Sequence, residues 1–99
     1  MRRILHLTKD DKKNIMIKYF GKDENDVRQK QCALAIDYGV SQSTIHLIVK
    51  YTALDYYAKI RDLIIKGYSE EDSLDKLGIS QHLYRMITHY LRKYSFIKN

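Results

Sequence analysis

The polar side chains best suited to recognition fall into two sets at matching places in the chain. Gln42, Ser43, His46 and Lys50 form one set, and Gln81, His82, Arg85 and His89 form the other. Steps of three and four put each set on one face of a helix. Glutamine and arginine reach base edges, while serine and lysine also hold phosphate oxygens. Both sets lie in acid-free stretches, from Tyr38 to Leu54 and from Lys76 to Asn99. The chemistry expected is therefore non-covalent. Gln42, Ser43, His46, Gln81, His82 and Arg85 would read bases. Arg2, Arg3, Ser41, Lys50, Ser80, His89, Arg92 and Lys93 would hold phosphates.

Composition supports a polyanionic partner. The 99 residues carry a formal net charge of +6, which favours nucleic acid or an anionic surface. The basic residues are not massed on one face opposite a bulky apolar one, so a membrane surface is not favoured. Hydrophobic residues at 44% and charged residues at 30% describe a globular chain. Apolar runs are too short for a membrane span, and MRRILHL lacks the apolar core of a signal peptide. Cys32, the one cysteine, permits no internal disulfide and reads as a small buried hydrophobe. A cytoplasmic, nucleoid-associated protein is expected.

Covalent chemistry finds little support. His82 and His89 lie seven apart on one helical face, without an i,i+4 partner, so no metal site is expected. A tyrosine nucleophile would need an arginine and histidine constellation on a larger scaffold. Tyr19, Tyr56, Tyr57 and Tyr84 instead fall on packing faces. No glycine-rich phosphate loop, paired carboxylates or Ser/His/Asp logic is present. The chain is expected to be no enzyme and to need no cofactor.

Helices must position the two sets. The absence of proline and the presence of only four glycines suit a helical chain with short turns. Thr8 with Asp11 predicts a capping box and a first helix over about 9–19. Asn25 or Asp26 would cap a second helix running to about Asp37. Ser41 would cap a third. Its apolar stripe of Ile45, Ile48, Val49, Thr52, Tyr56, Ile60, Leu63 and Ile64 runs to Gly67, so residues 42–66 are one long helix or two with a bend near Tyr51–Ala53. An unbroken helix could hold the second recognition helix one DNA turn along, whereas a bent one would let the units fold together. Ser69 with Asp72 predicts a helix over 70–77. Ser80 opens a last one over 81–94, with Leu83, Tyr84, Ile87, Tyr90 and Leu91 inward.

Superposing Gly39 on Gly78 exposes a repeat. Ala35-Ile36-Asp37-Tyr38-Gly39-Val40-Ser41-Gln42 aligns with Leu74-Asp75-Lys76-Leu77-Gly78-Ile79-Ser80-Gln81. Ile45 then falls on Tyr84 and Ile48 on Ile87. In both copies a turn glycine is followed at once by an apolar plug, and six and nine residues later by inward apolar residues. Four residues before the glycine, Ala35 is small but Leu74 is not.

This pattern resembles the helix-turn-helix motif of transcription regulators, resolvases and transposases, with Gly39 and Gly78 as turn glycines. The resemblance implies an all-α fold with two tandem three-helix units sharing a connecting helix. A basic arm would cover 1–7, the units 8–52 and 53–95, and a tail 96–99. It implies sequence-specific binding of double-stranded DNA, as in a small transcriptional regulator of a phage or mobile element, with a homodimer left open. The alternatives are a helix-turn-helix module that grips a repressor or RNA polymerase, and a DNA-recognition subunit of a packaging or recombination complex. Ordinary helical hairpins with no nucleic-acid role remain the plainest alternative.

Overall fold

Hydroxyl caps set where the helices begin. Thr8 Oγ1 accepts from the Asp11 N–H and the Asp11 carboxylate accepts from the Thr8 N–H, both at 3.0 Å. This reciprocal box opens α1 (Lys9–Phe20). Ser41, Ser69 and Ser80 accept in the same way, each at 3.1 Å, from the N–H groups of Thr44, Asp72 and Leu83. They open α3 (Gln42–Ile65), α4 (Glu70–Leu77) and α5 (Gln81–Lys93). The structure, a computed structural model, describes residues 7–21 and 28–97. Among the described residues it is all-helical, without strands.

The remaining helix, α2 (Gln31–Tyr38), begins later than the sequence suggests. Asn25 and Asp26 lie outside the described residues, but Arg28–Lys30 is not helical. The Gln29 N–H donates to the Lys18 carbonyl at 2.9 Å, and Lys30 is extended with φ −74° and ψ 156°. The chain commits this hydrogen bond to the end of α1 instead of to a further turn of α2, which starts without a side-chain cap.

α3 is one unbroken helix of 24 residues, about 36 Å long at ~1.5 Å per residue. It has no glycine or proline to break it, and the fully buried Ala53 sits where a bend was conceivable. Continuity does not bring extension. α3 packs against all four other helices, and α5 also packs on α1 and α4. The extents are 41 × 30 × 25 Å. The residues after α3 reverse the chain through Gly67, whose φ of 108° a side chain would resist. An unbroken helix and a folded-back arrangement, set against each other in the sequence analysis, occur together.

A single core joins the helices. Ile15, Met16 and Phe20 of α1 meet Leu34 of α2, Ile45, Val49 and Ile60 of α3, Leu74 of α4, and Leu83, Ile87 and Leu91 of α5. Each such side chain contributes about 1.5–3 kcal/mol relative to exposure. Thr52, Tyr56, Leu63 and Ile64 are half-buried, forming the edge of the α3 stripe instead of its centre. Cys32 is exposed, against expectation. Leu34 and Ala35 take the buried face of α2, and a residue two positions earlier lies about 200° around the helix from Leu34. Among the described residues no helix is long and apolar enough to cross a membrane.

Candidate nucleic-acid interface

The two helix–glycine–helix corners are built alike. Gly39 has φ 67° and ψ 35° and Gly78 has φ 69° and ψ 34°, both left-handed. The Val40 N–H donates to the Ala35 carbonyl at 3.0 Å and the Ile79 N–H to the Leu74 carbonyl at 3.1 Å. Each helix before the glycine is thus closed by the same wrapped-back hydrogen bond. The inward positions Ile45, Ile48, Tyr84 and Ile87 are all buried. The oversized Leu74 is accommodated by an exchange with its neighbour. The first corner presents Leu34 then Ala35, the second Ser73 then Leu74, and all four are buried. One large and one small side chain fill each crossing, in opposite order. The Ser73 hydroxyl, fully buried, donates to the Ser69 carbonyl at 2.8 Å.

At the first corner Gln42, Ser43 and His46 are exposed on the opening turns of α3. With Gln31 and Leu47 they line one shallow concavity. Gln31 Nε2 stands 3.5 Å from His46 Nδ1, which ties the start of α2 to the face of α3. Neither helix has an acid in its first turn, and Arg28 and Lys30, both exposed, lead into α2. The N-terminal ends of two helix dipoles add positive potential here. Ser41 is exposed, and its hydroxyl is engaged with Thr44 Oγ1 at 2.8 Å. Lys50 is half-buried. Its ammonium lies 4.5 Å from the Phe96 ring centre and 5.2 Å from that of Tyr51, so it pairs with aromatic faces.

The second corner carries different charge. α4 has Glu70, Glu71 and Asp72 in its first turn, and Gln81 Nε2 donates to Glu70 Oε2 at 3.3 Å. Arg85 and His89 are exposed, and His82 is half-buried. Ser80 is half-buried and lines a groove with Lys13 and Asn14 of α1. Arg92 and Lys93 are exposed in the last turn of α5, where cations complement the helix dipole. Arg2 and Arg3 lie outside the described residues. The structure thus gathers Gln42, Ser43 and His46 with Gln31 and sets Lys50 apart from them.

The Glu70–Gln81 contact, the Gln31–His46 approach and a cleft around Tyr90 escape the sequence reading, because each joins elements distant in sequence. Only the alignment of Gln31 with Glu70 across the repeat hints at the first. No family model, curated protein or solved structure matches this chain.

Proposed function

We propose that this chain binds double-stranded DNA sequence-specifically and serves as a small transcriptional regulator. The observation that carries the reading is the first corner. A tightly closed turn presents Gln42, Ser43 and His46 together on an exposed helix face with no carboxylate in the first turn of either flanking helix. In this reading α3 enters the major groove by its opening turns. The starts of α2 and α3 meet the phosphates, with Ser41 beside them and Arg28 and Lys30 adding charge. By the repeat, α5 offers Gln81, His82 and Arg85 to bases and His89, Arg92 and Lys93 to phosphates.

For the second corner the Glu70–Gln81 contact favours another reading. Three acids at the start of α4 would repel a phosphate backbone, and the glutamine at the base-reading position is already engaged. A basic surface on a regulatory protein or RNA polymerase suits that corner better than DNA does.

The test is selection of bound duplexes from a random pool, followed by titration of the selected site. Gln42→Ala or His46→Ala should each cost about 1–3 kcal/mol on that site and far less on random DNA. Arg85→Ala then decides the role of α5: an equal loss puts it on bases, and unchanged affinity leaves it for protein. Absence of any salt-sensitive shift with mixed duplexes would refute the DNA reading.

A further inference from the structure

Two buried polar atoms lack a hydrogen-bond partner among the described residues, Gln29 Oε1 and Tyr90 Oη. Interiors rarely leave such groups unpaired, and a missing ligand is one physical reason for it. Both residues line the same cavity, of about 290 Å³, between the end of α1, residues 28–30 and the second half of α5. Tyr90 is only 6% exposed. Its ring packs edge-on against Phe20 at 5.3 Å and tilts against Tyr94 at 5.1 Å. Burial, then the neighbouring Tyr19 and Tyr94, pushes its phenol up to about 12, and like any tyrosine it is a neutral O–H group at neutral pH.

The rim has the opposite character. Arg28, Lys30, His89 and Lys93 are exposed around the opening, and no described lining residue is a carboxylate. The ion pairs among the described residues, Lys59–Asp55 and Lys66–Asp62, involve none of them.

We propose that this cleft binds a nucleoside monophosphate, with the base among its aromatic rings and the phosphate at its cationic rim. An inorganic anion would leave the rings without a partner. An apolar ring would leave Gln29 Oε1 and the Tyr90 hydroxyl unpaired. Both oxygens are closed off in the free protein. A small shift of the Gln29 and Tyr90 side chains would let an N–H edge of a base meet the first and an acceptor atom the second, with its π-face on Tyr19 or Tyr94. The volume lies near the lower end, about 300 Å³, of small-molecule sites, which suits one nucleotide and not a dinucleotide. A free mononucleotide and an unpaired base of a DNA strand offer the same chemistry. The inference does not rest on duplex binding.

Calorimetry and amide NMR on the full chain test it, with AMP, GMP, CMP and UMP, the matching nucleosides, and inorganic phosphate. At least one monophosphate should saturate the site, with its nucleoside weaker by about tenfold or more for want of the charged contacts. Tyr90→Phe and Gln29→Ala should each weaken binding by about 3–10-fold, the worth of one net hydrogen bond. Tyr90→Phe deletes an unpaired buried hydroxyl, so the melting point of the free protein should not fall, which separates lost binding from lost folding. No saturation by any of the four at about 5 mM overturns the proposal. So does a response to inorganic phosphate equal to that of the nucleotides, or indifference to both substitutions. Displacement of the nucleotide by a single-stranded oligonucleotide, with the same Tyr90→Phe sensitivity, identifies a strand's unpaired base as the source. Nucleotide binding that no oligonucleotide displaces identifies the free form. A chain that ignored duplex DNA yet bound AMP in this pattern would keep this inference and lose the earlier one.

Discussion

At Gly39 and Gly78 the chain turns through nearly superimposable dihedral angles, 67° and 35° against 69° and 34°. What surrounds the two turns diverges. Before the first, the non-helical Arg28, Gln29 and Lys30 lead into α2, which has no acid in its first turn. Before the second, α4 opens on Glu70, Glu71 and Asp72, and one of these holds Gln81. The backbone of the corner follows from a left-handed glycine, a serine cap, an apolar plug and a large–small pair at the crossing. Apart from the caps Ser41 and Ser80, none of these fixes the outward side chains of the helix that follows. The geometry can therefore be duplicated while the chemistry drifts, which is why a shared corner licenses no shared partner.

The sharpest test of that separation is in the crossing pairs. Leu34→Ala should open a cavity in the first corner and cost about 2–5 kcal/mol. Ser73→Ala, at the matching position, should cost about 1 kcal/mol or less. Its hydroxyl bond to the Ser69 carbonyl is lost, but that carbonyl still accepts the Ser73 N–H at 3.0 Å. Urea unfolding of both variants measures the difference. Equal costs would mean that the corners are not packed in the inverted manner described above.

The turn glycines should come next. Alanine at position 39 meets no atom within 4 Å, so Gly39→Ala should cost only the left-handed backbone, about 1–2 kcal/mol. At position 78 a Cβ would lie 3.3 Å from Lys13 Nζ. That ammonium donates to the Leu77 carbonyl at 3.3 Å and ties α1 to the end of α4. Gly78→Ala should show the same backbone cost plus a small increment for moving Lys13, seen as a slightly larger fall in melting temperature. A larger loss at Gly39 would reverse the ranking and point to a contact absent from the first turn.

These expectations also indicate what the chain reveals before folding. Helix starts at Thr8, Ser41, Ser69 and Ser80 were legible because a capping hydroxyl acts on its own next turn. The glycine corners were legible because left-handed backbone selects glycine. The apolar face of α5 was legible because its period is local. The start of α2 was not, since Gln29 bonds to the distant Lys18 carbonyl. The exposure of Cys32 depends on which face of a short helix meets its neighbours. The Ser73–Leu74 exchange needed both corners side by side. Of the candidate interface, the composition of the α3 face was legible, whereas the Glu70–Gln81 contact and the unpaired Tyr90 hydroxyl arise only from tertiary packing.

Charge offers a finer test of the comparison. If the first corner alone meets phosphate, Lys30→Ala should lower the log–log slope of DNA affinity against salt by about 1. Glu70→Ala should leave the slope unchanged. Anisotropy titrations across a salt series measure both. A gain in affinity for Glu70→Ala would place α5 on the same DNA and restore the symmetry between the corners.

The smallest effect concerns how α3 and α5 end. α3 runs on through Ile65, whereas α5 stops at Lys93 and the chain folds back. Ser95 takes a φ of 62°, the described non-glycine residue with positive φ. The Phe96 N–H then returns to the Leu91 carbonyl at 2.8 Å. This closure brings the Phe96 ring to 6.2 Å from Tyr90 and 4.5 Å from the Lys50 ammonium. A serine there bears steric strain that glycine would not, so Ser95→Gly should stabilise the fold by up to about 1 kcal/mol. Ser95→Val should destabilise it by at least as much, because a β-branched side chain resists this conformation more strongly. Because Phe96 sits over Lys50, the valine variant should also free that ammonium, and its DNA salt slope should rise while its stability falls. If Ser95→Val lowers stability with no change in slope, then Lys50 is held by Tyr51 alone and the end of α5 has no bearing on the face of α3.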